Sequence, residues 1–179
     1  KVHWIKTSRE NNWFPTPEEI EKKIKSIKNK NIILFLNSPN NPTGAVYRPE
    51  EIERLVELAV KHDLWIIDDM IYATLVWANY GYTSPTTFPG GKERTLTIGG
   101  WSKGWAMTGW RLGWIGGSTE VANAVKKINA SAATHVPTFL MPAAITALSL
   151  EQETKIMADS FKERCEVIYR LLDTLPGIS

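Results

Sequence analysis

The 179-residue sequence has few of the residues that build simple metal or disulfide frameworks. Its one cysteine, Cys165, excludes an internal disulfide framework and suits a reducing cytosol. The three histidines, His3, His62 and His135, are scattered and lack thiolate partners, so no metal site is expected. A net charge of only +2 is too small to draw nucleic acid or a membrane surface. No apolar run approaches the ~18 residues that a membrane-spanning helix needs. No signal-peptide pattern follows Lys1, and because that first residue is not methionine, a piece of a longer protein is expected. The composition that remains is globular, 43% hydrophobic and 22% charged, which excludes a disordered tail. The length suits one core.

Strand-like and helix-like patterns alternate along the chain. Thr16-Pro17-Glu18-Glu19 reads as a capped helix start, and Ile20, Ile24 and Ile27 form one apolar stripe. Ile32–Leu36 is a short continuous apolar run of the kind found in strands buried on both faces. Pro49-Glu50-Glu51 opens a second helix, with Ile52, Leu55, Val56 and Ala59 inward. Further strands are predicted at Leu64–Ile67, Thr95–Ile98 and Leu112–Ile115, and a short one at Val2–Ile5. From Glu120 the chain reads helical almost to Leu175, with a break near His135-Val136-Pro137 and a stop at Pro176-Gly177. The alternation predicts an α/β fold with a mainly parallel sheet and flanking helices.

In such sheets ligands bind beyond the carboxyl ends of the strands. The segments just after the three best strands are Asn37–Gly44, Asp68–Tyr72 and Gly99–Arg111, and they hold nearly every unusual polar residue. Taken singly, each has an ordinary structural explanation. Asp68 or Asp69 could be a cap or a turn residue. Asn40-Asn41-Pro42-Thr43-Gly44 reads as a tight turn able to hold a cis proline. Arg111 could be a stacked structural arginine. Lys103 stands among Gly99, Gly100, Trp101 and Gly104, a setting where burial would lower its pKa. Rival motifs fail: Gly91-Lys92 lacks the rest of a P-loop, and no Gly-x-Ser-x-Gly elbow is present.

In this order and spacing, the three segments resemble the class I/II aminotransferases, fold-type-I enzymes that use pyridoxal 5′-phosphate. Ser38-Pro39-Asn40-Asn41-Pro42-Thr43-Gly44 resembles the family's Asn-Pro-Thr-Gly loop. Asp69-Met70-Ile71-Tyr72 resembles its Asp-x-x-Tyr strand end, with Met70 where glutamate is more usual. The stretch from Ser102-Lys103-Gly104-Trp105 through Gly109-Trp110-Arg111-Leu112-Gly113 is close to the lysine segment of the aspartate and aromatic aminotransferases. Gly100 stands where many members have a phosphate-binding serine. The resemblance covers nearly the whole chain.

The resemblance implies transfer of an amino group between an L-amino acid and a 2-oxo acid. It assigns Lys103 as the amine that bonds to the cofactor's aldehyde and then shuttles a proton. Asp69 would hold the pyridine nitrogen protonated, Asn41 and Tyr72 would donate to the phenolic oxygen, and Arg111 would bind the phosphate. Successive strand residues face opposite ways, so only one of the pair can meet the cofactor, and counting back three from Tyr72 in the family's motif selects Asp69; Asp68 is read as packing or polar support. The clustered tryptophans around Lys103 are read mainly as packing. By the same resemblance, residues 1–150 are part of the cofactor-binding large domain, and residues 151–179 are the helix leading to a small domain. The intact protein is expected to be a cytoplasmic homodimer, and the strand after Arg111 is expected to run antiparallel. Alternatives on this fold are a lyase, decarboxylase or synthase. A further alternative is that this stretch alone is inactive, since family members are longer and supply a phosphate loop, a ring-stacking aromatic and a carboxylate-binding arginine from elsewhere.

Overall fold

Thr16 opens the first helix through a reciprocal cap. Its hydroxyl accepts from the Glu19 amide at 3.2 Å while the Glu19 carboxylate accepts from the Thr16 amide at 2.8 Å. The computed structural model describes residues 1–28 and 31–178, with α1 at Pro17–Ser26, β1 at Ile33–Asn37, α2 at Pro49–Lys61 and β2 at Trp65–Asp69. β3 at Thr95–Gly100 and β4 at Gly113–Gly116 follow, then α3 at Thr119–Ala132, α4 at Met141–Leu148 and α5 at Glu151–Asp173. The sheet order is β1-β2-β3-β4. β1, β2 and β3 are parallel, whereas β4 pairs antiparallel with β3, Gly100 opposite Gly113. The α/β class and the antiparallel fourth strand agree with the sequence reading. No helix is long and apolar enough to cross a membrane among the described residues.

Three sequence expectations are corrected. Residues 2–5 form no strand. The long helical stretch is three helices rather than two, because the chain breaks again at Ser149-Leu150. There the Leu150 amide bonds back to the Ala147 carbonyl and the Ser149 hydroxyl to that of Thr146, closing α4 with tight turns. The strands are also not buried on both faces. Leu36 and Ile66 lie in a core with Ile52, Leu55, Val56 and Ala59 of α2, yet Ile33 and Phe35 are 58% and 60% exposed. Their register partners Trp65 and Ile67 share that face. α1 and α2 cover one side of the sheet, and on the other Ile33, Phe35 and Trp65 stand exposed.

α1 and α2 are joined by one carboxylate. Glu21 Oε1 lies 2.7 Å from Lys61 Nζ, 3.0 Å from His62 Nε2 and 3.3 Å from Lys25 Nζ. Hydrogen bonds from Lys61, then His62 and Lys25, hold the Glu21 carboxyl down to about 2. A carboxyl lowered on folding stabilises above its unfolded pKa, and the contribution is lost as pH falls through the folded value. Glu21→Gln should therefore lower the melting temperature of the full-length protein at neutral pH. The gap should close as pH drops from about the ordinary carboxylate range toward about 2, and it should shrink in high salt because the cluster is partly exposed. Thermal melts of both proteins across that range check it, and a gap independent of pH would refute it.

Candidate active site

Parallel pairing brings the carboxyl ends of β1, β2 and β3 to one edge of the sheet. Asn37 ends β1 opposite Asp69, which ends β2, and Asp69 lies opposite Ile98 of β3. The three segments that follow these ends therefore leave the sheet side by side.

The first segment is shaped by Asn37. Its Oδ1 accepts from the Asn41 amide at 3.0 Å and from Asn40 Nδ2 at 3.4 Å, while its own Nδ2 donates to the Asp69 carbonyl at 3.4 Å. Gly44 has φ +72 and its amide bonds the Asn40 carbonyl at 2.8 Å, closing the turn. Both Ser38-Pro39 and Asn41-Pro42 are cis. This arrangement points the Asn41 amide at the second segment, where Nδ2 donates to the Tyr72 hydroxyl at 3.3 Å. Lys103 Nζ, from the third segment, stands 5.8 Å from the centre of the Tyr72 ring. Asp69 is half-buried, and its Oδ1 accepts from the Ile71 amide at 3.3 Å. Asn41 thus meets Tyr72 directly and Lys103 stands over the Tyr72 ring, with Asp69 three residues before Tyr72.

Arg111 does not join them. It has φ +55, and its exposed guanidinium donates to the Thr108 carbonyl at 2.9 Å, its one hydrogen bond among the described residues. Lys103 is also exposed rather than buried as its glycine-rich surroundings suggested. Those glycines serve packing: a Cβ on Gly100 would stand 2.8 Å from the Leu112 carbonyl, and one on Gly104 would collide with Thr74. Nothing larger than glycine fits at position 100, three before the lysine. Trp101 packs beside Leu112 and Ala144, and its indole donates to the Ala144 carbonyl at 3.0 Å.

Asp68 is 1% exposed and faces away from the Asp69 side. Its Oδ2 accepts from the Tyr82 hydroxyl at 2.5 Å and the Ser84 hydroxyl at 3.1 Å. Burial pushes the Asp68 carboxyl up, those two hydroxyls pull it down, and the neighbouring Asp69 pushes it up further. Burial and the Asp68 carboxylate raise the Tyr82 phenol in turn. Sequence reasoning missed Asn37, Tyr82 and Ser84. Asn37 had a signal, since a polar residue ends an apolar strand at its carboxyl end; the other two had none.

An amine, a carboxylate and a paired amide and phenol form a donor set that fits pyridoxal 5′-phosphate, with the Arg111 guanidinium turned instead to the Thr108 carbonyl. Two concavities lie elsewhere: one of about 350 Å³ beside Phe14 and Tyr47, and one of about 420 Å³ between Trp105 and Met157. No cluster of three potential metal ligands occurs among the described residues.

Residues 1–179 match the family model described as "Aminotransferase class I and II". The chain is 39% identical over 176 residues to the asparagine–oxo-acid transaminase of Streptococcus mutans, covering 97% of this chain and 44% of that protein. It is 40% identical over 163 residues to the aspartate aminotransferase of Thermotoga maritima, covering 91% of this chain and 42% of that one. The crystal structure of the aromatic aminotransferase from Pyrococcus horikoshii superposes with a TM-score of 0.86 at 31% identity, over 93% of this chain and 45% of that one. The chain spans less than half the length of each.

Proposed function

The chain belongs to the class I and II aminotransferases, and from that premise we propose that it is part of a pyridoxal 5′-phosphate-dependent enzyme. The enzyme moves an amino group between an L-amino acid and a 2-oxo acid in amino-acid metabolism. The observation that carries this reading is the meeting of Lys103, Tyr72 and Asn41 beside Asp69 at the carboxyl edge of the sheet. Aspartate and asparagine, named for two relatives, are the donors to try first. Residues 1–150 belong to the cofactor-binding large domain, and residues 151–179 form the helix leading on to a small domain. The whole protein is a cytoplasmic homodimer on this reading.

When bound, the cofactor supplies an aldehyde that takes up amino groups and a ring that accepts the electron pair left on the substrate's α-carbon. Lys103 is the nucleophilic amine and the group that holds and returns the α-proton. Its exposure suits an amine that must reach both cofactor and substrate. Asp69 would hold a proton on the pyridine nitrogen through a charge-assisted contact. The Asn41 amide and the Tyr72 hydroxyl donate to the phenolic oxygen and favour its anion. The planar fork of Arg111, turned to the Thr108 carbonyl here, would take the phosphate.

Reductive labelling tests the assignment. The full-length protein, treated with pyridoxal phosphate and borohydride and then digested, should carry the pyridoxyl tag on Lys103. A tag on any other lysine would overturn the reading, as would release of ammonia with no 2-oxo acid transfer product.

A further inference from the structure

A carboxylate as deeply buried as Asp68 needs compensation, and no cation among the described residues provides it. Two hydroxyls do so instead, Tyr82 and Ser84, fourteen and sixteen residues further along the chain. Ser84 in turn accepts from the Thr86 hydroxyl at 3.0 Å and the Thr86 amide at 3.3 Å, so the polar chain continues into the turn at Pro85–Thr87. Simple filling of the space under β2 would call for an apolar side chain. A buried acceptor with two donors from one downstream segment instead fixes where that segment runs.

The same segment reaches back to the first loop of the site. The Tyr80 hydroxyl donates to the Val46 carbonyl at 3.2 Å, and the adjoining Tyr47 amide donates to the Ser38 hydroxyl at 3.1 Å. Val46 and Ser38 bracket the turn that presents Asn41 to Tyr72. We propose that Asp68 is a positioning residue: through Tyr82 and Ser84 it fixes the 77–87 segment, and through Tyr80 that segment fixes the turn carrying Asn41. Asp68 then acts on the Asn41–Tyr72 pair from the opposite face of the strand, while Asp69 occupies the site face. What the pair grips, the cofactor's phenolic oxygen, rests on the function proposed above. The mechanical coupling does not.

Two readouts on the full-length protein separate these layers. The first is amide hydrogen exchange without cofactor. Asp68→Ala should speed exchange in both 77–87 and 40–47, with the Gly44 and Tyr47 amides affected. Asp68→Asn, which still presents an acceptor to the two hydroxyls, should restore much of the protection. Tyr82→Phe and Ser84→Ala each remove one donor, so they should move exchange the same way by less, and they carry the test should Asp68→Ala fail to fold. Faster exchange confined to 77–87 overturns the proposal, because the turn would then be held without Asp68. The second readout is pyridoxal phosphate itself. Asp68→Ala should weaken its binding about three- to tenfold, the worth of roughly one hydrogen bond. It should also move the visible pH titration of the loaded protein to higher pH, since the phenolic oxygen loses donors and becomes more basic. Unchanged affinity and midpoint, with only a lower melting temperature, would show that Asp68 does no more than pack. A parent protein that shows no visible titration would sink the cofactor reading, and the exchange data would still decide the coupling.

Discussion

Lys103→Ala in the full-length protein should reduce amino transfer by at least about 10²–10⁴-fold, the usual contribution of a positioned proton-transfer group, and by more because the nucleophilic amine is lost too. Lys103→Arg should be nearly as inactive, since a guanidinium keeps the charge but neither attacks a carbonyl nor gives up a proton near neutral pH. Stability of the cofactor-free protein should barely change. The side chain is exposed and approaches the Tyr72 ring at 5.8 Å, so a shift within about 0.5 kcal/mol is expected. Steady-state rates with aspartate and a 2-oxo acid, alongside thermal melts, measure both. Turnover within tenfold of the parent would place the reactive amine elsewhere. A collapse in melting temperature would show that the lysine is structural.

The second large effect separates two adjacent carboxylates. Asp69→Ala should cut the single-turnover rate by about 10–100-fold, because a hydrogen bond to a charged partner is worth about 1.5–3 kcal/mol and each 1.36 kcal/mol is tenfold in rate. Its stability cost should be small, since among the described residues the half-buried side chain accepts a single bond, from the Ile71 amide. Asp68→Ala should show the opposite ranking. Its removal leaves the Tyr82 and Ser84 hydroxyls without their acceptor, and a buried unpaired polar group costs about 1–3 kcal/mol. Its effect on rate should pass only through the placement of Asn41 and Tyr72. Single-turnover kinetics and denaturant unfolding on both variants test the pair. A larger rate loss for Asp68→Ala would mean that the strand faces the site in the other register.

How far the sequence alone reached depends on whether a feature is local. The capped start of α1 was legible, because Thr16 and Glu19 sit on one turn and the bonds joining them span three residues. The strands at β1, β2 and β3 were legible from short apolar runs, and the carboxyl-end rule picked the three segments that the sheet brings together. The two-residue period of a strand says that Asp68 and Asp69 face opposite ways, and the structure has Asp68 buried and Asp69 half-buried; which of them serves the site came from the resemblance to the family's Asp-x-x-Tyr strand end.

What the tertiary structure decided depends on contacts distant in sequence. An apolar run cannot say how many of its faces will be covered, because that depends on which helices cross the sheet, and so Ile33 and Phe35 stand exposed where burial was expected. Small neighbours do not bury a lysine when the chain leaves the sheet edge, so Lys103 points outward. Asn41 finds Tyr72 at a separation of 31 residues, and Tyr80 finds Val46 at 34. Asp68 is joined to Tyr82 and Ser84 by the path of a long connection with no periodicity of its own. Local sequence set which side of a strand each carboxylate faces, through backbone geometry that repeats every two residues. Only the folded chain, by closing loops over tens of residues, determined what waits on that side.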